Sequence, residues 1–381
     1  MIAKRIDRLK ESPLREILKV IDEPGMISFA GGLPATQSFL EMDWSGIQTE
    51  HLQYGPSEGD WNLRQQVAES LTSRGLDTSP ERVLILSGSQ QGIDLVAKLM
   101  IDTSTRVAVE VPTYLAALQV FDLFGARYVP FTPDQPDVDD ASLVYTNPTF
   151  QNPTGHCYSV SQRLALADAC DNAGSVLFED DPYRDLVYDD CDRTPVCSYV
   201  RSSAWIYQSS FSKTYAPGLR LGYLTCSAAL FPYLVRLKQA ADLHSCRSSQ
   251  WLASELLQRS GCRSIELAEF YRERRDYFQS ALDHTFGDIA IWKPPVGGLF
   301  FWLILKEKYQ CDTRELLQTA LRHGVAFMPG ELFYPDGVRA VSGVRLNFSH
   351  ASSEQVHKGL QTLSKIFRSA GSSRDQTSIS T

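Results

Sequence analysis

From Arg82 to Cys226 the chain repeats one pattern: a short, almost wholly apolar run, a polar or glycine-containing break, and in several places a stretch of helical periodicity. The runs are "RVLILS", "RVAVEV", "SLVYT", "SVLFED", "AWIYQS" and "RLGYLTC". A strand with one face in water alternates apolar and polar residues. Runs that are apolar throughout belong to strands covered on both faces, as in parallel sheets whose crossover helices pack on either side. Two of the intervening helices are legible. Ile93, Val96, Ala97 and Met100 share one face of the first, and Leu164, Ala167 and Cys170 fall at spacing three on the second. The second opens on Ser159 with Gln162 three residues later, a capping-box pair. The expected fold class is α/β, a mostly parallel central sheet with helices on both faces. Sheets of this kind bind ligands outside the carboxyl ends of their strands.

The alternation stops near Trp251. A charged helical stretch, "SIELAEFYRERRDYFQSAL", leads to "GGLFFWLIL", a helix around Leu316 to His323 and the strand-like "VRLNFS". That pattern predicts a smaller α+β domain joined to the first by a long helix, and 381 residues suffice for both. At the other end Ser12 as N-cap and Pro13 at the first helical position precede Leu14, Ile17, Leu18 and Ile21 at helical spacing, with a stop at Pro24 and Gly25. "ISFAGGLP" then reads as an arm rather than a core segment. The expected organisation is an N-terminal arm and helix over 1–40, a large domain over 41–275, a small domain over 276–368 and a polar, disordered tail over 369–381.

A formal net charge of −8 gives no broad attraction to phosphate backbones or anionic membranes, so nucleic acid is not an expected partner. The eight cysteines form no CxxC pair, which fits neither a disulfide framework nor a zinc site, and no metal is expected. "LFFWLIL" is far too short to span a bilayer and the N-terminus has no continuous apolar signal, so the expected compartment is the cytoplasm.

Five strand ends carry groups that suit one kind of ligand. In "LSGSQQG" a glycine permits the turn, and Ser89 and Gln90 open a helix whose free N–H groups favour a phosphate, although serine also caps ordinary helices. Tyr114, after Pro112, either stacks on a flat ligand or packs as a buried ring. Asn152 lies in "TNPTFQNPTG", a run that would also serve as a plain turn. Asp180 leaves the apolar "SVLF", where a carboxylate needs a partner cation, and Tyr183 follows. The fifth is "SSFSKTYAPGLRLGY", with Lys213 behind Ser209, Ser210 and Ser212 and ahead of Arg220. A surface lysine needs no such company. A nucleophilic one must have its charge suppressed by burial or a second cation, and structural ion-pair networks leave a similar trace. A phosphorylated, cationic pyridine held through an aldehyde would use every one of these groups, which points to pyridoxal 5'-phosphate.

In these motifs the chain resembles the class I/II aminotransferases of pyridoxal-phosphate fold type I, and within them the 2-aminoadipate and kynurenine aminotransferase group. The resemblance runs from "PLREILKV" to "VRLNFS", and "SFAGGLP", "LQYGPSEG", "GSQQGIDL", "PTFQNPTG", "EDDPY", "SFSKTYAPGLRLGY" and "GGLFFW" stand in family order between them. It implies an aminotransferase that moves an amino group from an L-amino acid to a 2-oxo acid in two half-reactions. It further implies that Lys213 is the Schiff-base lysine and proton carrier, that Asp180 keeps the pyridine nitrogen protonated, that Asn152 and Tyr183 bond the phenolic oxygen and that Tyr114 stacks on the ring. Ser89, Gln90, Ser210 and Arg220 are implied at the phosphate. Tyr54 is implied to reach the phosphate of the neighbouring subunit in a homodimer. Arg345 is implied at the substrate α-carboxylate, with Asn152 and the backbone at Gly32 beside it, and Arg15 of "PLREIL" at a distal substrate carboxylate.

Two features depart from the family pattern. The connection between "YVPF" and "SLVYT" is compact, and "ADLHSCRSSQ" places His244 and Arg247 either at the substrate pocket or on the surface. The same lysine and electron sink would also serve elimination, replacement or cyclisation of a substituted amino acid. A pyridoxal-phosphate-binding transcription regulator would need a DNA-binding module and a basic region, and neither is expected here.

The assignment of Arg15 to a distal carboxylate predicts that Arg15→Ala lowers kcat/KM for acidic donors such as 2-aminoadipate or glutamate and leaves aromatic donors nearly unchanged. Steady-state kinetics with both donor classes check it, and equal losses would remove Arg15 from the pocket.

Overall fold

Residues 2–9, 23–259 and 263–378 are described by a computed structural model. The helix expected after Ser12 and Pro13, and Arg15 with it, lies outside the described residues. The first part of the chain contains β1 (Ile27–Ser28), α1 (Trp61–Ser73), β2 (Val83–Leu86), α2 (Ser89–Met100), β3 (Arg106–Glu110), α3 (Leu115–Phe124), β4 (Arg127–Phe131), β5 (Leu143–Thr146), α4 (Val160–Ala173), β6 (Val176–Asp180), β7 (Trp205–Ser210), β8 (Gly222–Cys226), α5 (Phe231–Asp242) and α6 (Arg247–Arg259). After α7 (Arg263–Phe286) come β9 (Ala290–Ile291), β10 (Phe300–Leu305), α8 (Thr313–Arg322), β11 (Val325–Ala326), β12 (Met328–Pro329), β13 (Gly343–Asn347) and α9 (Ser353–Ser378).

The six apolar runs form six strands of a seven-stranded sheet in the order β2-β8-β7-β6-β5-β3-β4. β8 is antiparallel to both of its neighbours and the other strands run parallel to one another. β2, β5 and β8 are buried along their whole length. Their alternate side chains feed two separate cores. Val83, Ile85, Val144 and Leu177 meet α1, α4 and α6 through Leu63, Leu166 and Leu252. Leu84, Leu86, Val107, Leu143 and Phe178 meet α2, α3 and α5 through Ile93, Phe121 and Leu234. Each such side chain contributes roughly 1.5–3 kcal/mol on leaving water. The seventh strand, β4, was not among the expected runs. It pairs with β3 alone, and an edge strand open to solvent lacks the continuous apolar signature.

α4 has its expected capping box. The Ser159 hydroxyl accepts from the Gln162 N–H at 3.2 Å, and the Gln162 side chain accepts from the Ser159 N–H at 2.9 Å. Its buried face keeps the expected Ala167 and Cys170 and corrects Leu164, which is 41% exposed, while Arg163 and Leu166 point inward. The fully buried Arg163 guanidinium donates to the carbonyls of Pro148, Asp192 and Thr194 and to the Thr149 hydroxyl, so it pins two loops at the carboxyl edge of the sheet.

A third core surrounds an antiparallel sheet, β12-β13-β10-β9. Here the expected arm proves to be a core segment. β1 pairs parallel with β11, the Phe29 N–H donates to the Ala326 carbonyl at 2.8 Å, and Phe29 and Ala30 are fully buried with Phe278 and Phe301. The glycines after the arm conceal a run whose apolar residues are as buried as those of the strands. α7 crosses the boundary expected at residue 275. α9 runs to Ser378, through most of the segment whose polar composition predicted disorder, since a polar sequence lacks a core-forming face without being barred from a helical backbone.

Ser159→Ala should destabilise the protein by about 1 kcal/mol, the usual worth of a helix N-cap. Chemical denaturation of the variant checks this, and unchanged stability would show the box to be dispensable.

Candidate active site

The carboxyl ends of β2, β3, β5, β6 and β7 all reach one edge of the sheet. β8 runs against them, so Arg220, just before it, arrives at that same edge. There a cavity of about 160 Å3 is lined by Ser89, Gln90, Tyr114, Asn152, Asp180, Tyr183, Ser210, Lys213 and Arg220, all singled out in the sequence. Asn147, Pro182, Ser212 and Pro217 line it as well.

One end of the cavity is a polar cup. α2 starts after Gly88, whose lack of a side chain leaves the first N–H groups uncapped, and the Ser210 and Ser212 hydroxyls and the Arg220 guanidinium complete the wall. The cup tolerates no added bulk. A Cβ on Gly88 would lie 2.5 Å from Arg220 Nη2, and one on Gly222 would lie 2.8 Å from both the Ser89 nitrogen and the Ser209 carbonyl oxygen. Helix N–H groups, hydroxyls and a guanidinium around a small void suit a phosphate.

At the other end stands Asp180, 3% exposed. Its Oδ2 accepts from the Tyr145 hydroxyl at 2.8 Å, and its backbone carbonyl accepts from Asn147 Nδ2. Burial pushes the carboxyl up to about 6, against Tyr145 and Gln208, which favour the charged form. Oδ1 is buried and accepts no hydrogen bond. A buried carboxylate oxygen without a donor is costly, so it calls for a cationic N–H from a ligand. Between the two ends burial, then the Asp180 charge, holds the Tyr114 phenol protonated, pushing it up to about 12. Asn152, fixed by an N–H bond of 2.7 Å to Asn147 Oδ1, points its amide nitrogen at the Tyr183 hydroxyl, 3.5 Å away.

The Lys213 amine donates to the Gly32 carbonyl at 2.7 Å and lies 5.9 Å from the centre of the Tyr183 ring. Its surroundings lower it to about 8, burial first and then the charges of Arg345 and Arg220. Arg345, on β13, donates to Asn152 Oδ1 at 2.7 Å and to the Ala30 carbonyl, between the Phe300 and Phe333 rings at 4.2 and 5.0 Å. It is 4% exposed, its Nε donates to nothing, and among the described residues no carboxylate pairs with it. That leaves a buried cation facing Lys213 with capacity for an incoming anion.

Three candidates stand elsewhere. Tyr54 is 76% exposed, edge-on to His244 at 5.8 Å, and neither lines the cavity. Arg247 is bonded to Asp60 at 2.9 Å and is likewise outside the cavity. Sequence reasoning missed Asn147, whose only signal was its place in the run that carries Asn152. It also missed Tyr145, hidden in a strand, and the two phenylalanines that hold Arg345.

A polar cup suited to a phosphate, the Tyr114 ring in the cavity wall, an orphaned carboxylate oxygen and a suppressed lysine together fit pyridoxal 5'-phosphate and define the class as enzymes that use it. Residues 33–363 match the aminotransferase class I and II family. The 2-aminoadipate transaminase of Thermus thermophilus is 34% identical, over 96% of both chains, and aromatic-amino-acid aminotransferase 1 of Thermococcus litoralis is 32% identical, over 94% of this chain and 92% of its own. Among solved structures, Thermus thermophilus α-aminoadipate aminotransferase complexed with N-(5'-phosphopyridoxyl)-L-leucine superposes with a TM-score of 0.87 at 31% identity, covering 97% of each chain. Pyrococcus horikoshii kynurenine aminotransferase gives 0.89 at 29% identity, also covering 97% of each. The chain belongs to the class I and II aminotransferases and is a pyridoxal 5'-phosphate-dependent aminotransferase.

Gly222→Ala should fold but bind pyridoxal 5'-phosphate at least roughly tenfold more weakly, because the new methyl group displaces the Ser89 N–H, a donor to a charged group. Equilibrium titration with the cofactor reads this, and wild-type affinity would exclude the cup. In the cofactor-free protein, the pH dependence of Lys213 acylation should have a midpoint near 8, and Arg220→Leu should move it upward by removing a like charge. A midpoint at the ordinary lysine value would contradict the suppression.

Proposed function

We propose that this aminotransferase takes the amino group of L-amino acids with acidic or aromatic side chains, passes it to a 2-oxo acid, and works as a homodimer in the cytoplasm. The observation that carries the reading is a cavity that holds both the suppressed Lys213 amine and the orphaned Asp180 Oδ1, with Arg345, which pairs with no described carboxylate, bonded to its wall at Asn152. The named specificities of the similar enzymes, 2-aminoadipate, aromatic amino acids and kynurenine, support the donor classes.

The bound cofactor would supply an electron sink for the charge left on the substrate Cα when its proton is removed. Ser89, Gln90, Ser210 and Arg220 would hold its phosphate, and Tyr114 would cover one face of its ring. Asp180, its Oδ2 already committed to Tyr145, would use Oδ1 to hold a proton on the ring nitrogen. Asn152 and Tyr183 would donate to the phenolic oxygen. Lys213 would provide the covalent attachment and carry the Cα proton. At a midpoint near 8, roughly a tenth of its amines are neutral at pH 7, against fewer than about one in a thousand for an ordinary lysine. Arg345 would bind the α-carboxylate, exchanging its bond to Asn152 Oδ1 for a charged partner, close to the backbone at Gly32.

Tyr54 supports the dimer. It stands out of its own cavity beside Leu52, which is 70% exposed, and Leu243, which is 41% exposed and adjoins His244, an apolar display suited to a second copy. The seven described cysteines are free, in keeping with a reducing compartment, and no described helix is long and apolar enough to cross a membrane.

Incubating the loaded enzyme with one donor at a time, without acceptor, should release one 2-oxo acid per chain and no ammonia. Ammonia release would point to elimination instead. Arg345→Ala should weaken all amino-acid donors alike, by roughly 10- to 100-fold in affinity, the worth of about 1.5–3 kcal/mol for a charged hydrogen bond. An effect confined to one donor class would show that Arg345 reads the side chain.

A further inference from the structure

Arg247 and His244 are polar residues that the cavity does not use, and both converge on the segment that ends in Tyr54. The Arg247 guanidinium spans this segment. Its Nε donates to Asp60 Oδ1 at 2.9 Å, and its Nη1 donates to the carbonyls of Glu50, of Gln53 at 3.3 Å and of Tyr54 at 3.4 Å. Gly55 makes room for it, since a Cβ there would come within 2.7 Å of Arg247 Cδ. The anchor continues inward. Gln250 accepts from the Asp60 N–H at 2.8 Å and donates to the Ser245 carbonyl at 2.8 Å, and the Ser245 hydroxyl reaches the Ile85 carbonyl on β2 at 3.2 Å. β2 is the strand whose end opens the phosphate cup.

We propose that Arg247 is a positioning residue that fixes the Glu50–Tyr54 turn so that the Tyr54 hydroxyl is presented to the cofactor phosphate bound by a second copy of the chain. This rests on the homodimer reading above. An aromatic side chain that is 76% exposed on an irregular segment has many conformers, and ordering them opposes binding. Arg247 removes that freedom before association. Its planar fork can face a carboxylate through Nε and carbonyls through Nη1 at once, which a lysine ammonium cannot do over the same span. His244 supports the Tyr54 ring edge-on, at 84° between planes. The segment at the start of α6 thereby links a subunit's own phosphate cup to the tyrosine it sends out.

The test measures the rate at which pyridoxal 5'-phosphate leaves the loaded protein, followed by its visible absorbance, in Tyr54→Phe, Arg247→Ala, Arg247→Lys and the double variant Tyr54→Phe/Arg247→Ala. Sedimentation gives the association state and melting of the cofactor-free protein gives the fold. Each single variant should remain a folded dimer and lose cofactor roughly tenfold faster, the double variant no faster than the singles, and lysine should not rescue. Should Arg247→Ala fail to fold, Asp60→Ala removes the same anchor from its other side and should give the same increase. A raised rate in Tyr54→Phe with a wild-type rate in Arg247→Ala, or additive effects in the double variant, overturns the proposal alone. A wild-type rate in Tyr54→Phe overturns the shared-site reading and the proposal together.

Discussion

The Lys213 amine stands where its own charge is disfavoured, and the architecture of the site follows from keeping it there. Burial is the larger influence and the two guanidiniums, Arg345 and Arg220, add to it. Those cations come from different parts of the chain: Arg345 from the antiparallel sheet, held between two phenylalanine rings, and Arg220 from the turn before β8. Arg345 could not approach Lys213 if the two sheets were not packed together, and the carbonyls of Ala30 and Gly32 accept bonds from Arg345 and Lys213. On the proposed function both arginines have a second use, Arg220 at a phosphate and Arg345 at a carboxylate. The smaller, electrostatic part of the suppression then comes from two proposed anion sites around one amine, and burial supplies the larger part.

The sheet supplies the rest. Parallel strands bring unrelated loops to one edge, and the single reversed strand brings Arg220 to them. The loop after β5 is braced from behind by buried polar groups. The Asn147 N–H donates to Glu110 at 2.6 Å, Tyr158 donates to the same carboxyl, and Arg163 takes the carbonyl of Pro148. Asn147 in turn holds both Asn152 and the backbone of Asp180. Bonds of this kind in a low-dielectric interior fix side-chain direction tightly, which a ligand held at several points requires.

Much of this was legible because it depends on local patterns. Six strands showed as apolar runs, the α4 box as a Ser-Gln pair, and the cavity residues as polar groups at strand ends. What was hidden depends on tertiary context. β4 is an edge strand with a mixed pattern. "ISFAGG" reads as an arm because only the partner strand β11 makes it core. Spacing puts Leu164 on the inward face because a fully buried arginine, Arg163, is not anticipated by counting apolar residues. Asn147 and Tyr145 carry no signal that separates them from an ordinary turn and an ordinary strand, since their roles lie in bonds to Asp180.

We propose that Lys213 bonds the cofactor, since among the described lysines it alone lines the cavity. Reducing the loaded protein with borohydride makes that bond permanent, and peptide mass mapping then reads which lysine carries the phosphopyridoxyl group. One label per chain is expected, on Lys213 in "SSFSK". A stoichiometric label on any other lysine, with Lys213 unmodified, would contradict it.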